Sequence, residues 1–266
     1  RLGHVSGTMI HQAFSEALAL TLVELAESNE YDFSGRPNFC IPEINLKYPA
    51  KPIPENSSAS LELVLTNVRK KDGNVGLDIF LGGAVSGTAK CVVVTDQLLK
   101  QLAQSDPIKT SGRQSTQVLD LLSPIYKSDQ ILAADISNLA NDIVKVKLNL
   151  PLNDSALKNR SFASASSIQA AITEALLLTQ AVKINAGQFV LPNDVTPSIE
   201  WFHANFSKIL LKDLRYSAGF IRAGSEITLG VKVSKFKGRS TFGWVTFDIH
   251  GDIEGKATCL LDLRES

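Results

Sequence analysis

One segment near the start of the chain has apolar residues spaced for a helix that is hydrophobic nearly all round. These residues are Ile10, Ala13, Phe14, Ala17, Leu18, Leu20 and Leu22. Such a distribution is typical of a helix that is buried on most sides. The pattern therefore predicts a central helix with other elements packed around it.

The same pattern returns later in the chain. When 4–21 is aligned with 162–179, eight of the 18 positions are identical. The identical pairs, all at one constant offset, are Ser6/Ser164, Ile10/Ile168, Ala13/Ala171, Glu16/Glu174, Ala17/Ala175, Leu18/Leu176, Leu20/Leu178 and Thr21/Thr179. Two downstream motifs also match, 46–48 with 214–216 and 87–91 with 255–259, and these two share a second, larger offset. The chain is therefore interpreted as an internal duplication with one insertion in the second copy, between the helix and the strands.

After each predicted helix come segments rich in Val, Leu and Ile with imperfect alternation, as in strands that cover a core. In the first copy they are 60–68, 75–81 and 88–95, with a hairpin turn at 71–74. In the second copy they are 226–236, 241–250 and 255–263, with a turn at 237–239, and two more strands are expected at 130–135 and 143–150. The glycine-rich segment 82–87 lacks the Lys-Ser/Thr of a phosphate-binding loop and is predicted to be a turn between strands.

The expected class is α+β, with a long helix and an antiparallel sheet in each copy. We predict a first repeat at 1–101, a polar linker at 102–127 and a second repeat at 128–266. The first copy has no counterpart of the strands at 130–135 and 143–150, so strands that precede residue 1 are expected to be missing from this sequence.

Composition and charge exclude several classes of function. Lys plus Arg equals Asp plus Glu at 27 each, so no overall positive field favours nucleic acid. The three cysteines are too scattered for a disulfide framework, which favours a cytoplasmic location. The apolar segments are too short to span a bilayer. His203 and His250 have no partners at the spacing of metal ligands, so no metal site is predicted.

The predicted helices carry the residues with the clearest chemical potential. A carboxyl group one or two turns into a buried helix is desolvated, which raises its pKa and suits it to general acid or base catalysis. Glu16 and Glu174 both satisfy this description. A free helix N-terminus offers amide groups to a carbonyl oxygen, and Gly7 has no side chain to block that approach.

The segment Gly3-His4-Val5-Ser6-Gly7, followed by Gln12-Ala13 and Glu16-Ala17, resembles the hot-dog superfamily. It is most similar to the A-factor biosynthesis hot-dog family, with Gly3 at an Asp position and with Gln12 and Glu16 interchanged. It is also similar to 3-hydroxyacyl-carrier-protein dehydratases, although Gln12 stands at their carboxylate position and cannot exchange protons. The resemblance implies a tandem hot-dog fold in which each long helix is wrapped by its sheet.

The resemblance further implies an enzyme that acts on a fatty or polyketide acyl thioester. The reaction is either β-ketoacyl transfer to a small hydroxylated acceptor such as dihydroxyacetone phosphate or 3-hydroxyacyl dehydration. Thioester hydrolysis and a non-catalytic acyl-binding or scaffolding role remain as alternatives. No bound cofactor is expected, because phosphopantetheine of an acyl-carrier protein or CoA carries the acyl group. A homodimer is a possible further association.

Roles follow for the individual residues. The predicted catalytic residues are His4, Glu16 and Glu174, and the predicted substrate-binding residues are Gly7, His11, Gln12 and Gln169. His4 has a solvated loop position as its alternative, and a structural role is favoured for His11. Phe162 and Ala165 replace His4 and Gly7 in the second copy, so one competent and one degenerate site are expected.

Overall fold

The computed structural model describes residues 7–28, 38–49, 51, 53–54, 57–71, 74–94, 114–138, 142–152, 161–191, 196–239 and 242–262. The described helices are α1 (Gly7–Glu27), α2 (Thr116–Leu122), α3 (Ala165–Asn185) and α4 (Ile199–Asn205). Short 3-10 turns lie at Ser128–Gln130 and Phe206–Lys208. None of the helices within these ranges is both long and apolar enough to cross a membrane.

The described strands overlap the eight predicted segments and include two, Asn38–Lys47 and Ile209–Ala218, that the sequence analysis does not predict. The pairs whose register is described are antiparallel. The strands are β1 (Asn38–Lys47), β2 (Leu61–Lys71), β3 (Asn74–Gly83), β4 (Ser86–Val94), β5 (Ala133–Asn138), β6 (Ile143–Asn149), β7 (Ile209–Ala218), β8 (Glu226–Arg239), β9 (Phe242–Gly251) and β10 (Ile253–Asp262). The architecture is therefore α+β, as expected.

The chain divides into two compact units. The first comprises the described residues within 1–110, 150–170 and 216–225. Its strands lie in the order β2-β3-β4-β1. Alternate side chains of β3 are buried, from Val75 through Leu77 and Ile79 to Leu81, so one face of this sheet covers a core.

The second unit comprises the described residues within 111–149, 171–215 and 226–266. Its strands lie in the order β7-β10-β9-β8-β6-β5. Residues 165–170 of α3 belong to the first unit and residues 171–185 to the second. The predicted repeats at 1–101 and 128–266, separated by a linker, remain a prediction.

Several features recur at equivalent positions of the two predicted copies. Helices α1 and α3 are both 21 residues long, and their first residues, Gly7 and Ala165, are an aligned pair of the repeat. Thr21 donates its hydroxyl to the carbonyl of Ala17 at 3.0 Å, and Thr179 donates to Ala175 at 2.8 Å. Strands β3 and β9 also begin at equivalent positions, at the offset that the downstream motifs share.

The end of β3 and the end of β9 are also built alike. Gly83 has a φ of 86° and Gly251 a φ of 116°, in the region that favours glycine. The next residue's amide donates to the carbonyl of Ser60 at 2.7 Å in the first copy and of Thr228 at 3.1 Å in the second. Ser60 and Thr228 are also equivalent positions at this offset, so the two turns share one backbone hydrogen-bond arrangement.

The two helices differ in burial, which corrects one expectation. Helix α3 is buried on nearly all sides, as the apolar pattern predicts. Helix α1 is buried along one face only, since Ala13 is exposed and Leu20 is 67% exposed. An apolar pattern shows which residues a helix could bury, but it does not show which of them the rest of the protein covers. In α1 two of these residues, Ala13 and Leu20, stay exposed.

Three local predictions also need correction. The turn expected at 237–239 lies within β8, whose Arg239 pairs with Phe242 in β9. The strand expected at 130–135 begins at Ala133, after a 3-10 turn. Helix α2 lies within the predicted linker 102–127, and the sequence pattern does not predict it because seven residues are too few to show a helical period.

The turns at 71–74 and 82–87 agree with the prediction as far as they are described. Lys71 pairs with Asn74 across the β2–β3 hairpin. Ala84 and Val85 join the end of β3 to the start of β4. Within the described residues, the first copy has no counterpart of β5 and β6.

We expect Gly83→Ala and Gly251→Ala to destabilise the protein by similar amounts, about 1–3 kcal/mol each. An added Cβ would lie 2.3 Å from the Ser60 carbonyl oxygen or 2.4 Å from that of Thr228, at a positive φ in both cases. Urea unfolding of the two variants measures the loss. Gly219→Ala is the control, since no atom lies within 4 Å of its added Cβ, and a loss as large in this variant would contradict the explanation.

Candidate active site around Glu174

Glu174 lies near the middle of α3 with only 5% of its surface exposed. Its Oε1 accepts a hydrogen bond from the amide of Ala133 at 2.6 Å, and its Oε2 accepts one from the amide of Leu132 at 3.0 Å. These amides stand at the start of β5. The carboxyl group thus joins the buried helix to the end of a strand, with one backbone donor for each oxygen.

Burial dominates the electrostatics of this carboxyl group. It raises the pKa of Glu174 from 4.5 to about 7, because the charged form loses its hydration. The two backbone amides favour the carboxylate and act in the opposite direction, but they do not cancel the desolvation. Near neutral pH the group can therefore hold or release a proton, which is the property required of a general acid or base.

Tyr126 is the neighbouring phenol. Burial raises its pKa to about 12, and the negative charge of Glu174 acts in the same direction. Its ring packs against Phe206, with centroids 6.5 Å apart. Tyr126 is half-buried.

The segment that carries Tyr126 is held in place by α2. Ser115 caps this helix by accepting from the amide of Val118 at 3.4 Å. The amide of Ser115 donates to the carbonyl of Ala134 in β5 at 2.8 Å. His203 Nε2 lies 2.9 Å from the carbonyl of Leu121 at the other end of α2. The helix is therefore fixed beside the same strand end that holds Glu174.

Glu16, at the equivalent position of α1, has a different environment. It is half-buried, and its Oε1 accepts from Nε2 of Gln12 at 3.0 Å on an exposed part of the helix. The expectation that Glu16 is desolvated like Glu174 is therefore not met, because α1 is covered along one face only. Gln12 is exposed and bonded to Glu16, and its predicted role in substrate binding stays a prediction.

The other predicted site residues lie in the first unit or outside the described residues. His11 is fully buried, and its Nε2 lies 2.7 Å from the hydroxyl of Tyr48. Gln169 is buried in the early part of α3, and Gly7 is the first residue of α1. His4 lies outside the described residues, so its predicted catalytic role stays a prediction.

Sequence reasoning misses the backbone donors of Glu174 and the phenol that its charge affects. The amides of Leu132 and Ala133 are backbone donors, and no residue type marks them in a sequence. Tyr126 lies in the predicted linker and carries no motif. Tyr48 does have a signal, since it matches Tyr216 in the repeated motif, but that match indicates duplication rather than a site.

Among the residues the structure describes, no group of three or more His, Cys, Asp or Glu side chains is arranged to hold a metal ion. The candidate site consists of the Glu174 carboxyl group and its two backbone donors, with Tyr126 near enough for the carboxylate charge to raise the pKa of its phenol.

No protein family model matches the chain, and no curated protein matches it. Solved structures give remote likenesses. The tesB protein of Mycobacterium avium subs paratuberculosis is 8% identical with a TM-score of 0.46, covering 99% of this chain and 89% of that one. The 12:0-ACP thioesterase from Umbellularia californica is 9% identical with a TM-score of 0.46, covering 97% and 90%.

A third likeness is to the dehydratase domain from the CurJ module of curacin polyketide synthase. It is 11% identical with a TM-score of 0.42, covering 93% of this chain and 81% of that one. All three likenesses are remote, at 8% to 11% identity.

Ionisation of Glu174 should make the folded protein less stable as pH rises. Its pKa is about 7 in the folded state and 4.5 as the reference for the unfolded chain. Protonation of the folded state therefore contributes stability that is fully present below pH 4.5 and is lost as pH rises through 7, by at most about 3 kcal/mol.

Urea unfolding of the wild type and of Glu174→Gln between these pH values measures the effect. The difference between their free energies of unfolding isolates the contribution of this group. Parallel pH profiles for the two proteins would show that Glu174 titrates normally.

Proposed function

We propose that this protein processes acyl thioesters, with Glu174 as the group that moves the proton. The observation that supports the proposal is a carboxyl group on a buried helix with its pKa raised to about 7. Dehydration, acyl transfer and hydrolysis of a thioester all need such a group, because each removes a proton from carbon, an acceptor hydroxyl or water. The substrate would be carried on CoA or on an acyl-carrier protein.

The hydrogen bonds of Glu174 leave its carboxyl group able to exchange a proton with a substrate. Each carboxylate oxygen has two lone pairs, and each accepts one backbone hydrogen bond from the start of β5. The backbone donors fix the orientation of the carboxyl group, which keeps one lone pair per oxygen aimed consistently at a reacting group.

The tandem hot-dog fold belongs to the same proposal. Two copies of a 21-residue helix followed by an antiparallel sheet are consistent with it, as are the matched contacts of Gly83 and Gly251. Within this proposal, β-ketoacyl transfer and 3-hydroxyacyl dehydration come from the resemblance of 3–17 to the hot-dog families, and His4 would assist as base or orienting group. A cytoplasmic location is part of the same proposal.

A second candidate is a non-catalytic acyl-binding or scaffolding role. The observation that favours it is that both oxygens of Glu174 are already engaged by backbone donors, so the residue joins α3 to β5 in any case. A buried polar side chain satisfied in this way needs no catalytic role to be retained. The two candidate functions predict different effects of replacing the Glu174 carboxyl group by an amide. Turnover falls if the protein is an enzyme that uses this group, whereas a binding or scaffolding protein has no turnover to lose.

We expect Glu174→Gln to lower turnover roughly 100-fold or more, because an amide cannot exchange the proton. The substrates are 3-hydroxydecanoyl-CoA, 3-oxodecanoyl-CoA with dihydroxyacetone phosphate, and decanoyl-CoA, followed by mass spectrometry of the products. Glu16→Gln is the matched variant in the other repeat. Glu16 is less buried than Glu174, so a smaller loss is expected from it.

Turnover that survives in Glu174→Gln would remove Glu174 from the mechanism. If the wild type binds the thioesters but converts none of them, the non-catalytic candidate replaces the enzymatic one.

A further inference from the structure

Strands β2 and β8 are equivalent strands of the two copies. Each is the first strand of a hairpin, paired with β3 and β9 respectively. In both the register shifts once, between Leu65 and Asn67 in β2 and between Val233 and Lys235 in β8. These positions correspond at the offset that the downstream motifs share. The surroundings of β8 therefore indicate what fits beside β2.

The two strands differ on the side that faces away from the hairpin. There β8 is covered by β6, which pairs antiparallel with 226–232. Strand β2 is the first in the strand order, so within the described ranges no strand pairs with its outer edge. The equivalent of 226–232 on this edge is 58–64. An uncovered strand edge presents amide and carbonyl groups with which another strand can pair.

Burial differs in the same way. Leu61 and Leu63 are half-buried, whereas their equivalents Leu229 and Val231 are 0% exposed. Residues 58–60 are exposed and lie outside β2, although their equivalents belong to β8 and pair with β6. As far as the structure describes it, the sheet of the first unit is incomplete at the edge that β6 completes in the second.

Strand β6 shows the chemistry of the segment that covers such an edge. Val144, Val146 and Leu148 are each 0% exposed, whereas Lys145 and Lys147 are exposed. Because successive side chains of a strand point to opposite faces, the apolar ones complete the core and the basic ones face outward. The covering segment is therefore extended, with apolar and basic residues in alternation.

Glu62 adds charge complementarity to this edge. In the second unit Lys145 pairs with Gly230, and the equivalent of Gly230 is Glu62. Glu62 is exposed, and among the described residues it forms no ion pair. A basic residue opposite it would form a favourable cross-strand pair, and an acidic residue would be repelled.

We propose that the outer edge of β2 binds an extended segment of a partner protein, antiparallel to 58–64. Its apolar side chains lie beside Leu61 and Leu63, and a basic side chain lies opposite Glu62. Main-chain hydrogen bonds supply affinity in this mode of recognition, and the alternating side chains supply specificity. Glu174 takes no part, so the inference does not depend on the proposed function.

The test titrates nitrogen-15-labelled protein with a blocked peptide, Ile-Val-Lys-Val-Lys-Leu-Asn, which has the sequence of β6. A second peptide has Glu in place of the first lysine. We expect NMR shift changes at 58–64 but not at 226–232, because β6 already covers the latter. The wild type should bind the first peptide about fivefold more tightly than the second, because only the first places a lysine opposite Glu62.

Glu62→Lys should reverse this preference, because it exchanges the attracted and the repelled peptide. Glu24→Lys is the matched control, since it makes the same charge change at an exposed position of α1 and leaves Glu62 in place. It should keep the preference of the wild type. A preference that falls equally in both variants would show that only net charge matters and would overturn the inference.

Two further outcomes would also overturn it. One is the absence of shift changes at 58–64 with either peptide. The other is a wild type that self-associates in sedimentation experiments and loses this association in Glu62→Lys but not in Glu24→Lys, because a second copy of the chain would then occupy the edge.

Discussion

The structure depends on the nearly complete burial of α3. A polar side chain on this helix cannot be solvated, so its hydrogen bonds have to come from the protein. Thr179 bonds to the preceding turn, and Lys183 contacts Asp142 and Gln188, each at 3.0 Å. Glu174 takes its donors from the start of β5. Burial of the helix therefore raises the pKa of the Glu174 carboxyl group, and it also makes the start of β5 the source of its hydrogen bonds.

One sequence pattern, present twice in the chain, occurs in two different environments. Glu16 and Glu174 occupy the same place in the two copies, yet only Glu174 is buried. Its donors come from β5, an element with no described counterpart in the first copy. His11 and Gln169 also occupy one place, and both are buried with different side chains. The two helices therefore share their length and their apolar pattern but present different polar side chains.

The sequence predicts the elements well where periodicity is long or where the two copies confirm each other. Both long helices, their order relative to the strands and the β3–β4 turn follow from apolar spacing and from the repeated motifs. The burial of Glu174 also follows from its place in an apolar helix. The exposure of Ala13 and Leu20 does not, because a helix pattern cannot show which of its faces the rest of the fold covers.

The candidate site is predictable only in part for a related reason. A carboxyl group on a buried helix can be found in a sequence, but its hydrogen-bond partners here are backbone amides. The phenol that its charge affects lies in a short segment without periodicity. The turn predicted at 237–239 is wrong because a glycine within a long strand resembles a loop. Local composition therefore locates the reactive side chain but not the groups that determine its properties.

The account can be tested most directly by measuring the pKa of Glu174 in the folded protein. Carbon-13 NMR of labelled glutamate carboxyl groups, assigned by comparison with Glu174→Gln, follows its titration without interference from other residue types. The account predicts a midpoint near 7. A midpoint near 4.5, the ordinary value for glutamate, would show that the carboxyl group is hydrated and would contradict the account.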